Sequence, residues 1–470
     1  MPITSYRSYL RWSITLAPAA VLYFVPLFGL DPIQRHLLAF FGGTIVALVA
    51  RPVPMPVATL LAMTGLVLTN TLPASSVLLG FSDLNVWLIF TAMLLSRAVT
   101  DTRLGVRVAY LFINRFGRNS LTLGYSISVS DLVLAPFVPS DTARGGGIIS
   151  PITGSVAEAL GSQPGSASAR LGGFLVLVAF HTTYVASAMF LTGMAANPLM
   201  ADFAFKLGHV ELTWLRWFVG AIVPGVLSLL LVPYLIHRLY HPQQVDTEAA
   251  RQHARKELAL MGPLNAREGR LIVIMIAVLA GWISSPWHHI PNAFVALAGL
   301  CALITLGVAP WNDLLSEGKA WEALMWFAPL IMMASELNRR GVIAHLSASL
   351  FGYARELHWF AALAMLVISY LYIHYGFASM TAHITALYPG FFAAALASGA
   401  PPLLAALLLA YFSNLNAGIT HYGTGSAPVY FGLGYVSQEA WWKVGFFISL
   451  VNLAIWFGIG SLWWKLTGFW

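Results

Sequence analysis

Long apolar runs separated by short polar segments make up nearly the whole chain. Runs such as Ile222–Ile236 and Leu271–Ile283 are continuous, whereas strands of a membrane β-barrel alternate apolar and polar positions. At roughly 20 apolar residues per crossing, the pattern predicts an all-α polytopic membrane protein with about 11 transmembrane helices. The predicted spans are Trp12–Leu30, Arg35–Ala50, Val53–Leu68, Val86–Val99, Leu171–Met194, Leu215–Ile236, Leu271–Ile283, Phe294–Val308, Trp321–Leu337, Leu403–Phe431 and Trp441–Leu462.

Four apolar segments are interrupted by small and polar residues. We predict that two of them, about residues 121–160 and 359–398, are re-entrant helical hairpins. The other two, about residues 171–205 and 403–431, are predicted to be broken helices, because each contains residues that free backbone groups. These residues are Thr192, Gly193, Asn197 and Pro198 in the first break and Thr424, Gly425 and Pro428 in the second.

An internal repeat relates the two halves of the chain. Ser130–Arg144 aligns with Ser369–His383 without a gap, and the polar Ser-x-Thr-Ala core lies at the interruption of both hairpins. An odd number of crossings per half makes the second copy inverted, which is typical of secondary transporters with a site near the midplane. We therefore divide the chain into residues 1–32 (N-terminal region and first helix), 33–236 (repeat 1), 237–270 (cytoplasmic linker) and 271–470 (repeat 2).

The charged residues agree with a membrane protein and orient it. Only 9% of residues are charged, against about 25% in soluble domains. We attribute the net charge of +7 to cytoplasmic loops rather than to nucleic-acid binding. The basic residues that predict a cytoplasmic N-terminus are Arg7 and Arg11 before the first span and Arg103, Arg107, Arg115 and Arg118 after the fourth, although Arg339 and Arg340 fall on the opposite side.

Motifs for catalysis do not emerge from the sequence. HExxH, GxSxG and GxxxxGK patterns are missing, and the single cysteine, Cys301, excludes disulfides and thiolate clusters. We expect no cofactor and no metal. An intramembrane enzyme is a remote alternative, and a passive channel fits two buried hairpins less well than alternating access.

The hairpin interruptions carry the candidate chemistry. Ser140, Thr142, Ser379 and Thr381 can cap the helices that follow, or serve only to satisfy the breaks. Two helix starts that meet at the midplane would direct partial positive charges at one point, which suits a carboxylate. An anionic substrate is therefore expected.

Arg144 and His383 occupy the same position of the repeat. Ionisable residues inside a membrane are functional candidates, so we interpret them as a pair of charge-compensating residues. The structural alternative for Arg144 is that it reaches the cytoplasmic surface or pairs with Asp141. Asp131 is interpreted as a residue at the hairpin mouth in contact with water, and Glu336 as a partner of Arg339, while His421 is a secondary candidate beside the second break.

Four segments carry a resemblance to a known family: Pro139–Ile152, Ser187–Leu199, Phe377–Pro389 and Ser413–Val436. At these residues the chain resembles the divalent anion/sodium symporter family. It is most similar to the exchanger branch of citrate/succinate and tartrate/succinate antiporters and plastid 2-oxoglutarate/malate translocators. The resemblance implies an elevator-type antiporter of di- or tricarboxylates, such as succinate, malate, citrate, tartrate or 2-oxoglutarate. It also implies a homodimer, which we place in the bacterial cytoplasmic (inner) membrane.

In the exchanger branch, cationic side chains stand near the positions that hold Na⁺ in other members, and Arg144 and His383 match them here. The residues that the resemblance assigns to substrate binding are Ser140, Asp141, Thr142, Thr192, Gly193, Asn197, Ser379, Met380, Thr381, Thr424, Gly425 and Pro428. Asp141 and Met380 depart from the Ser-Asn-Thr pattern of the family. Asp141 can pair with Arg144, be protonated, or mark another substrate or proton coupling, so a Na⁺- or H⁺-coupled dicarboxylate symporter is the alternative function.

Overall fold

The computed structural model describes residues 6–26, 29–165, 169–240, 242, 246–343, 345–346 and 357–470. The secondary structure of these residues is helical, with no strand among them. The prediction of an all-α fold is thereby confirmed. Residues 27–28 of the first predicted span and residues 241 and 243–245 of the predicted linker lie outside the described residues, and so does the side chain of Arg7.

The first half runs from α1 to α11. Its helices are α1 (Tyr6–Phe24), α2 (Pro32–Ala50), α3 (Met55–Leu68), α4 (Ala74–Leu78), α5 (Leu84–Asp101), α6 (Leu104–Phe116), α7 (Ser120–Leu134), α8 (Ser150–Ala159), α9 (Ala169–Met189), α10 (Asn197–Gly208) and α11 (Trp214–Tyr240). A short 3₁₀ helix, Leu79–Ser82, follows α4, and a π-helical stretch, Thr142–Ile149, leads into α8.

The linker and the second half run from α12 to α23. Their helices are α12 (Glu248–Met261), α13 (Ala266–Ile283), α14 (Ser285–His288), α15 (Asn292–Thr305), α16 (Trp311–Leu315), α17 (Gly318–Arg339), α18 (Trp359–Ile373), α19 (Met380–Ala397), α20 (Pro402–Leu415), α21 (Ala427–Phe431), α22 (Gln438–Asn452) and α23 (Gly460–Leu466). The 3₁₀ turns His374–Gly376 and Asn416–Ile419 follow α18 and α20, and a π-helical stretch, Leu453–Ile459, joins α22 to α23.

Eight helical stretches of the described chain are long and apolar enough to cross a membrane. They are Pro32–Ala50, Leu84–Asp101, Arg170–Met189, Trp214–Tyr240, Trp359–Gly376, Met380–Ala397, Pro402–Ile419 and Gln438–Leu466. Predicted spans at α1, α3, α13, α15 and α17 coincide with helices outside this set. The apolar α3 and α15 have 14 residues each, so they fall short in length.

The most deeply buried helices are the ones that break. All residues from Leu171 to Met189 and 89% of those in Pro402–Ile419 are buried within the protein. The first ends at Met189 and the chain resumes as α10 at Asn197, while the second gives way after Ile419 and resumes as α21 at Ala427. The irregular backbone therefore lies inside the protein, where other groups can satisfy it.

The two interrupted segments near residues 121–160 and 359–398 each form two helical arms. In the first, α7 ends at Leu134 and the return arm begins near Asp141, and in the second, α18 ends at Ile373 and α19 begins at Met380. Three consecutive glycines, Gly145–Gly147, open the first return arm, and a Cβ on Gly145 would clash with Thr183 of α9. Glycine thus lets this arm approach α9 closely.

Arg107 of α6 joins the linker to the first half of the chain. The Arg107 side chain of α6 pairs with Glu268 of α13 at 2.8 Å and donates to the Gly262 carbonyl. The linker helix α12 is amphipathic and buries Ala250 and Ala254. A buried guanidinium that is paired and hydrogen-bonded is a stable arrangement, so the linker is fixed to the end of α6.

Candidate functional site at the helix breaks

Serine caps both hairpin tips in the same way. Ser140 Oγ accepts from the backbone N–H of Ala143 at 3.1 Å, and Ser379 Oγ accepts from Ala382 at 3.3 Å. The prediction of capping is confirmed for these two serines, but no hydrogen bond within the described chain joins the side chain of Thr142 or Thr381 to a helix start. A capped helix start still carries N–H groups without intrahelical partners, so each tip remains able to bind an anion.

Arg144 is completely buried one turn into the first return arm. A guanidinium has five N–H donors, and protein oxygen atoms accept from Nε and from both terminal nitrogens of Arg144. The acceptors are Asp131 Oδ1 at 2.8 Å, the carbonyls of Val138 and Gly193 at 2.9 Å each, the Thr183 carbonyl at 3.1 Å and Ser187 Oγ at 2.7 Å. Arg144 therefore ties the tip to α7, to α9 and to the first helix break.

The partner of Arg144 corrects two interpretations from the sequence. Asp131 does not contact water at the hairpin mouth, because its side chain is fully buried in the ion pair with Arg144. Arg144 neither reaches the surface nor pairs with Asp141. The cause is the hairpin itself, which turns the return arm back along α7 and brings the two residues together across 13 positions. The pairing of Glu336 with Arg339, at 2.7 Å, is confirmed.

Asp141 joins the two repeats. Its Oδ2 accepts hydrogen bonds from the hydroxyls of Thr424 and, at 3.1 Å, Ser426, both in the second helix break. Gly425 lies between them, so close to the Thr142 hydroxyl that a Cβ there would clash. The first hairpin tip is thus packed directly on the second break.

The first break is held by side chains that satisfy its backbone. Thr192 Oγ1 donates to the Pro136 carbonyl at 2.8 Å and accepts from the indole of Trp214 at 3.2 Å. Asn197 donates to the carbonyls of Ser187 and Phe190 at 3.0 and 2.9 Å. A Cβ on Gly193 would clash with the Ser187 carbonyl, so this position requires glycine. These contacts give Thr192, Gly193 and Asn197 a clear role in shaping the break.

His383 differs from its repeat mate Arg144. It is fully buried, and neither ring nitrogen has a hydrogen-bond partner among the described residues. Its ring contacts Tyr370, His374 and Phe377, with centroid distances of 4.4, 4.9 and 5.1 Å. Nε2 of His374 bonds the Gly423 carbonyl at 2.9 Å, which ties the second tip to the second break.

The remaining candidates line the same region. Met380 is buried beside Ser379, whereas Thr381 is half-buried. His421 accepts from the indole of Trp442 at 3.0 Å and stacks near Phe431, so its contacts belong to the end of the second break. Six of the twelve candidates for substrate binding keep part of their surface exposed: Ser140, Thr142, Ser379, Thr381, Gly425 and Pro428. Their hydroxyls and backbone are the groups accessible to a ligand.

The sequence interpretation missed the residues that link the breaks. Asn414 of α20 donates to Asn197 Oδ1 at 2.9 Å, and Ser426 donates to Asp141. Ser187 and Thr183 supply acceptors for Arg144. A buried asparagine in an apolar helix was the available signal for Asn414, while the others are too common in membrane helices to stand out. No group of three His, Cys, Asp or Glu residues suited to a metal occurs within the described ranges.

The buried helix breaks, packed against two hairpin tips, define a multi-pass membrane transporter. Residues 7–470 match the family described as the sodium:sulfate symporter transmembrane region. The chain therefore belongs to the divalent anion/sodium symporter family, as the sequence motifs predict. The prediction of a transporter rather than an enzyme is confirmed as well.

Relatives extend over the whole chain. The chain is 43% identical to the putative malate transporter YflS of Bacillus subtilis, covering 97% of this chain and 96% of the relative. It is 40% identical to the chloroplastic dicarboxylate transporter 1 of Arabidopsis thaliana (97% and 83%), and 34% to the inner membrane protein YbhI of Escherichia coli (99% and 99%). The crystal structure of the Alcanivorax borkumensis YdaH transporter matches the fold with a TM-score of 0.56, 16% identity and 99% coverage of both chains.

Proposed function

We propose that this protein is an antiporter that exchanges di- or tricarboxylates across the membrane. Two capped helix starts with partly exposed serines, Ser140 and Ser379, provide N–H and O–H donors suited to carboxylate oxygens. The names of its relatives, a putative malate transporter and dicarboxylate transporters, support the same substrate class. Succinate, malate, citrate, tartrate and 2-oxoglutarate are the candidates.

The observation that carries the exchange mechanism is the oxygen cage around Arg144. Three backbone carbonyls, a hydroxyl and a carboxylate converge on its guanidinium. Hard cations prefer such oxygen ligands, so the guanidinium takes the place that a mobile cation could fill. A cage filled by a side chain needs no Na⁺ from solution, and the transporter then lacks this route of coupling to a Na⁺ gradient.

Obligatory exchange follows from the unpaired N–H groups that the site keeps when no substrate is bound. Without an anion, the two helix starts keep N–H groups that have no partner, and burying such groups costs several kcal/mol. The empty carrier therefore crosses between its two states slowly, whereas the loaded carrier crosses quickly. Elevator-type movement of the hairpins and broken helices, within a homodimer, is part of the same proposal.

The proposed location is the cytoplasmic membrane of a bacterium, with the N-terminus in the cytoplasm. This orientation places the linker inside and the start of α18 outside. In a Cys301→Ala background, single cysteines at exposed Lys256 and exposed Leu357 distinguish the two sides. A membrane-impermeant maleimide on intact cells should label only the cysteine at position 357. Labelling of position 256 instead would reverse the orientation.

The exchange proposal is tested with labelled succinate and proteoliposomes. The lumen is either empty or loaded with succinate, malate, citrate, tartrate or 2-oxoglutarate, and Na⁺ is present or replaced by choline. We expect uptake only into loaded vesicles and no dependence on Na⁺. Uptake into empty vesicles driven by a Na⁺ or proton gradient would contradict the proposal and indicate a symporter.

Variants of Arg144 test the role of the cage. Arg144→Gln empties it, and we expect loss of exchange or the appearance of Na⁺-dependent uptake. Arg118→Gln is the matched control, because Arg118 is an exposed arginine at the start of the same hairpin. Strict, Na⁺-independent exchange that is unchanged in Arg144→Gln would defeat the cage argument.

A proton-coupled symporter is the second candidate, and Asp141 is the observation that favours it. This carboxylate is buried at the tip and bonded to two hydroxyls of the opposite repeat. A carboxylate in this place can bind a proton that travels with the substrate. Proton-driven uptake into empty vesicles that is lost in Asp141→Asn would favour this function over exchange.

A further inference from the structure

Two residues at equivalent positions contact each other in both repeats, but the residue types differ between the repeats. At the repeat offset of 239 residues, Tyr370 is the mate of Asp131, and His383 is the mate of Arg144. In each repeat the first residue contacts the second: Asp131 bonds Arg144, and the Tyr370 ring lies edge-on against the His383 ring. The first pair contains a carboxylate, whereas the second contains a neutral phenol whose hydroxyl bonds Ser413 at 2.7 Å.

This difference fixes the charge of His383 in the empty site. Arg144 has an anion beside it and is permanently charged. His383 is surrounded by the rings of Tyr370, His374 and Phe377, and neither ring nitrogen has a partner within the described chain. A buried cation without an anion is strongly disfavoured. His383 is therefore neutral until an anion enters.

His374 provides a hydrogen-bond acceptor for a protonated His383. Its Nε2 lies 2.9 Å from the Gly423 carbonyl, which can only accept, so the proton of the neutral ring is on Nε2. Its Nδ1 then keeps a lone pair, and it is buried without a partner among the described residues. A protonated His383 can donate one N–H toward this lone pair and the other toward a substrate carboxylate.

Other buried polar atoms without a hydrogen-bond partner among the described residues lie at the start of the second helix break, near Gly423. Thr420 Oγ1 and both side-chain amide atoms of Asn416 are buried without partners among the described residues. Thr420 Oγ1 and His374 Nε2 border the same space beside Gly423. Polar atoms left unsatisfied in this way indicate a place that binds water or a proton during function.

Several of the other ionisable groups on α19 and on the elements packed against it have contacts elsewhere. Lys206 pairs with Asp83 and Asp202, His36 stacks on Tyr23, and Tyr388 donates to the Ala406 carbonyl. The full set on these elements, besides Tyr370 and His374, is Arg35, His36, Asp202, Lys206, His209, Tyr372, Tyr375, Tyr388, Tyr411, His421 and Tyr422. Carboxylates in this set are limited to Asp202, which is paired.

We propose that His374 and His383 form a proton-binding site that takes up one proton with each substrate molecule that binds. The proton comes from hydronium or the buffer acid in solution, whose bond to it breaks, and it adds to the unprotonated ring nitrogen of His383. The substrate then meets a cation that is present only while the substrate is bound. The inference rests on the proposed transport of carboxylates, but it applies equally to exchange and to symport.

Calorimetric titration of the purified transporter with succinate tests the proposal directly. Titrations at the same pH in buffers of different ionisation enthalpy give the number of protons taken up per succinate bound. We expect about one proton near pH 8, where free histidine is neutral. By linkage, the Kd should rise by up to tenfold per unit of rising pH.

Three variants locate the proton. His383→Gln should take up no proton on binding succinate, and His383→Arg should bind succinate with a Kd independent of pH. In His374→Gln the side-chain amide can still donate to the Gly423 carbonyl but offers no ring nitrogen, so proton uptake should fall. Thermal unfolding of each variant shows whether it is folded.

Each measured proton count either supports or contradicts the proposed proton-binding site. Zero proton uptake by the unmodified protein would overturn the proposal, and so would full uptake by His383→Gln, which would move the proton to another group. Full uptake by His374→Gln would remove His374 from the site. A failure of the exchange proposal appears elsewhere, as succinate uptake into empty vesicles, so the two results are independent.

Discussion

Asn414 donates a hydrogen bond from Nδ2 to Oδ1 of Asn197, at 2.9 Å, and thereby joins the two broken helices across the repeats. Asn197 in turn donates to the carbonyls of Ser187 and Phe190 at the first break, and the Phe190 carbonyl also accepts from the N–H of Gly193. The amide group is required at position 197, because its nitrogen must donate while its oxygen accepts. The two breaks are thus connected through one side chain whose nitrogen and oxygen both form hydrogen bonds.

Asn197→Asp should therefore destabilise the protein. Aspartate keeps the acceptor for Asn414 but places an oxygen against the carbonyls of Ser187 and Phe190. Leaving buried groups unpaired costs about 1 to 3 kcal/mol, and more when a charge is involved. We expect a clearly lower melting temperature for this variant, whereas Asn312→Asp, at an exposed asparagine, should melt like the parent. Equal melting of both variants would contradict the role of the amide.

The Asp131–Arg144 pair predicts a second, larger effect. Asp131→Asn leaves the buried guanidinium without its anion, and breaking a buried pair from one side costs about 3 to 5 kcal/mol. The double variant Asp131→Asn/Arg144→Gln removes both charges, so it should be more stable than Asp131→Asn alone. Thermal unfolding of the two single variants and the double variant measures the coupling. Additive losses would show that the pair is not coupled.

The positions of the helix interruptions could be predicted from the sequence, because polar residues break the apolar segments there. Ser140 and Ser379 stand where continuous helices must stop, so their capping follows from local chemistry. The repeat offset also pairs Arg144 with His383 from the sequence alone. These inferences needed only neighbours in the chain and the cost of unsatisfied backbone in a membrane.

The partners of these residues could not be predicted, because they depend on how distant segments pack. Asp131 faces Arg144 only after the hairpin folds back, and Asp141 meets Thr424 across 283 positions. From sequence spacing alone, pairing of Arg144 with the nearer Asp141 is equally reasonable. Orientation decides between the two acids, and a helix that starts in a π-helical stretch changes that orientation.

Asp141→Asn is expected to strengthen substrate binding if exchange is the function. An ionised carboxylate at the tip repels an anion, and at an effective dielectric constant near 20 such charges interact by a few kcal/mol at close range. Asparagine can still accept from Thr424 and Ser426 while removing the charge. We predict a KM for succinate about tenfold lower, measured in loaded proteoliposomes. A loss of transport together with its pH dependence would instead assign coupling to Asp141.

A charge cluster joins α10 to the start of α5. Lys206 Nζ lies 2.7 Å from Asp202 on its own helix and 3.3 Å from Asp83, which caps α5 through the N–H of Asn85. Asn338 of α17 also donates to the Lys206 carbonyl at 2.7 Å. In the elevator proposal, α10 moves with the broken helix while α5 and α17 stay, so this contact must open in each cycle.

Asp83→Asn should therefore accelerate exchange. Asparagine is as good a helix cap as aspartate, so α5 keeps its start while the attraction for Lys206 is weakened. A partly exposed ion pair is worth up to about 1 kcal/mol, which corresponds to about a fivefold faster opening. The measurement is the initial rate of succinate exchange under saturating substrate. Glu439→Gln is the matched control, because it removes an exposed ion pair with Lys443 within one helix. If Asp83→Asn and this control exchange at the same rate as the parent, α10 does not separate from α5 in the rate-limiting step.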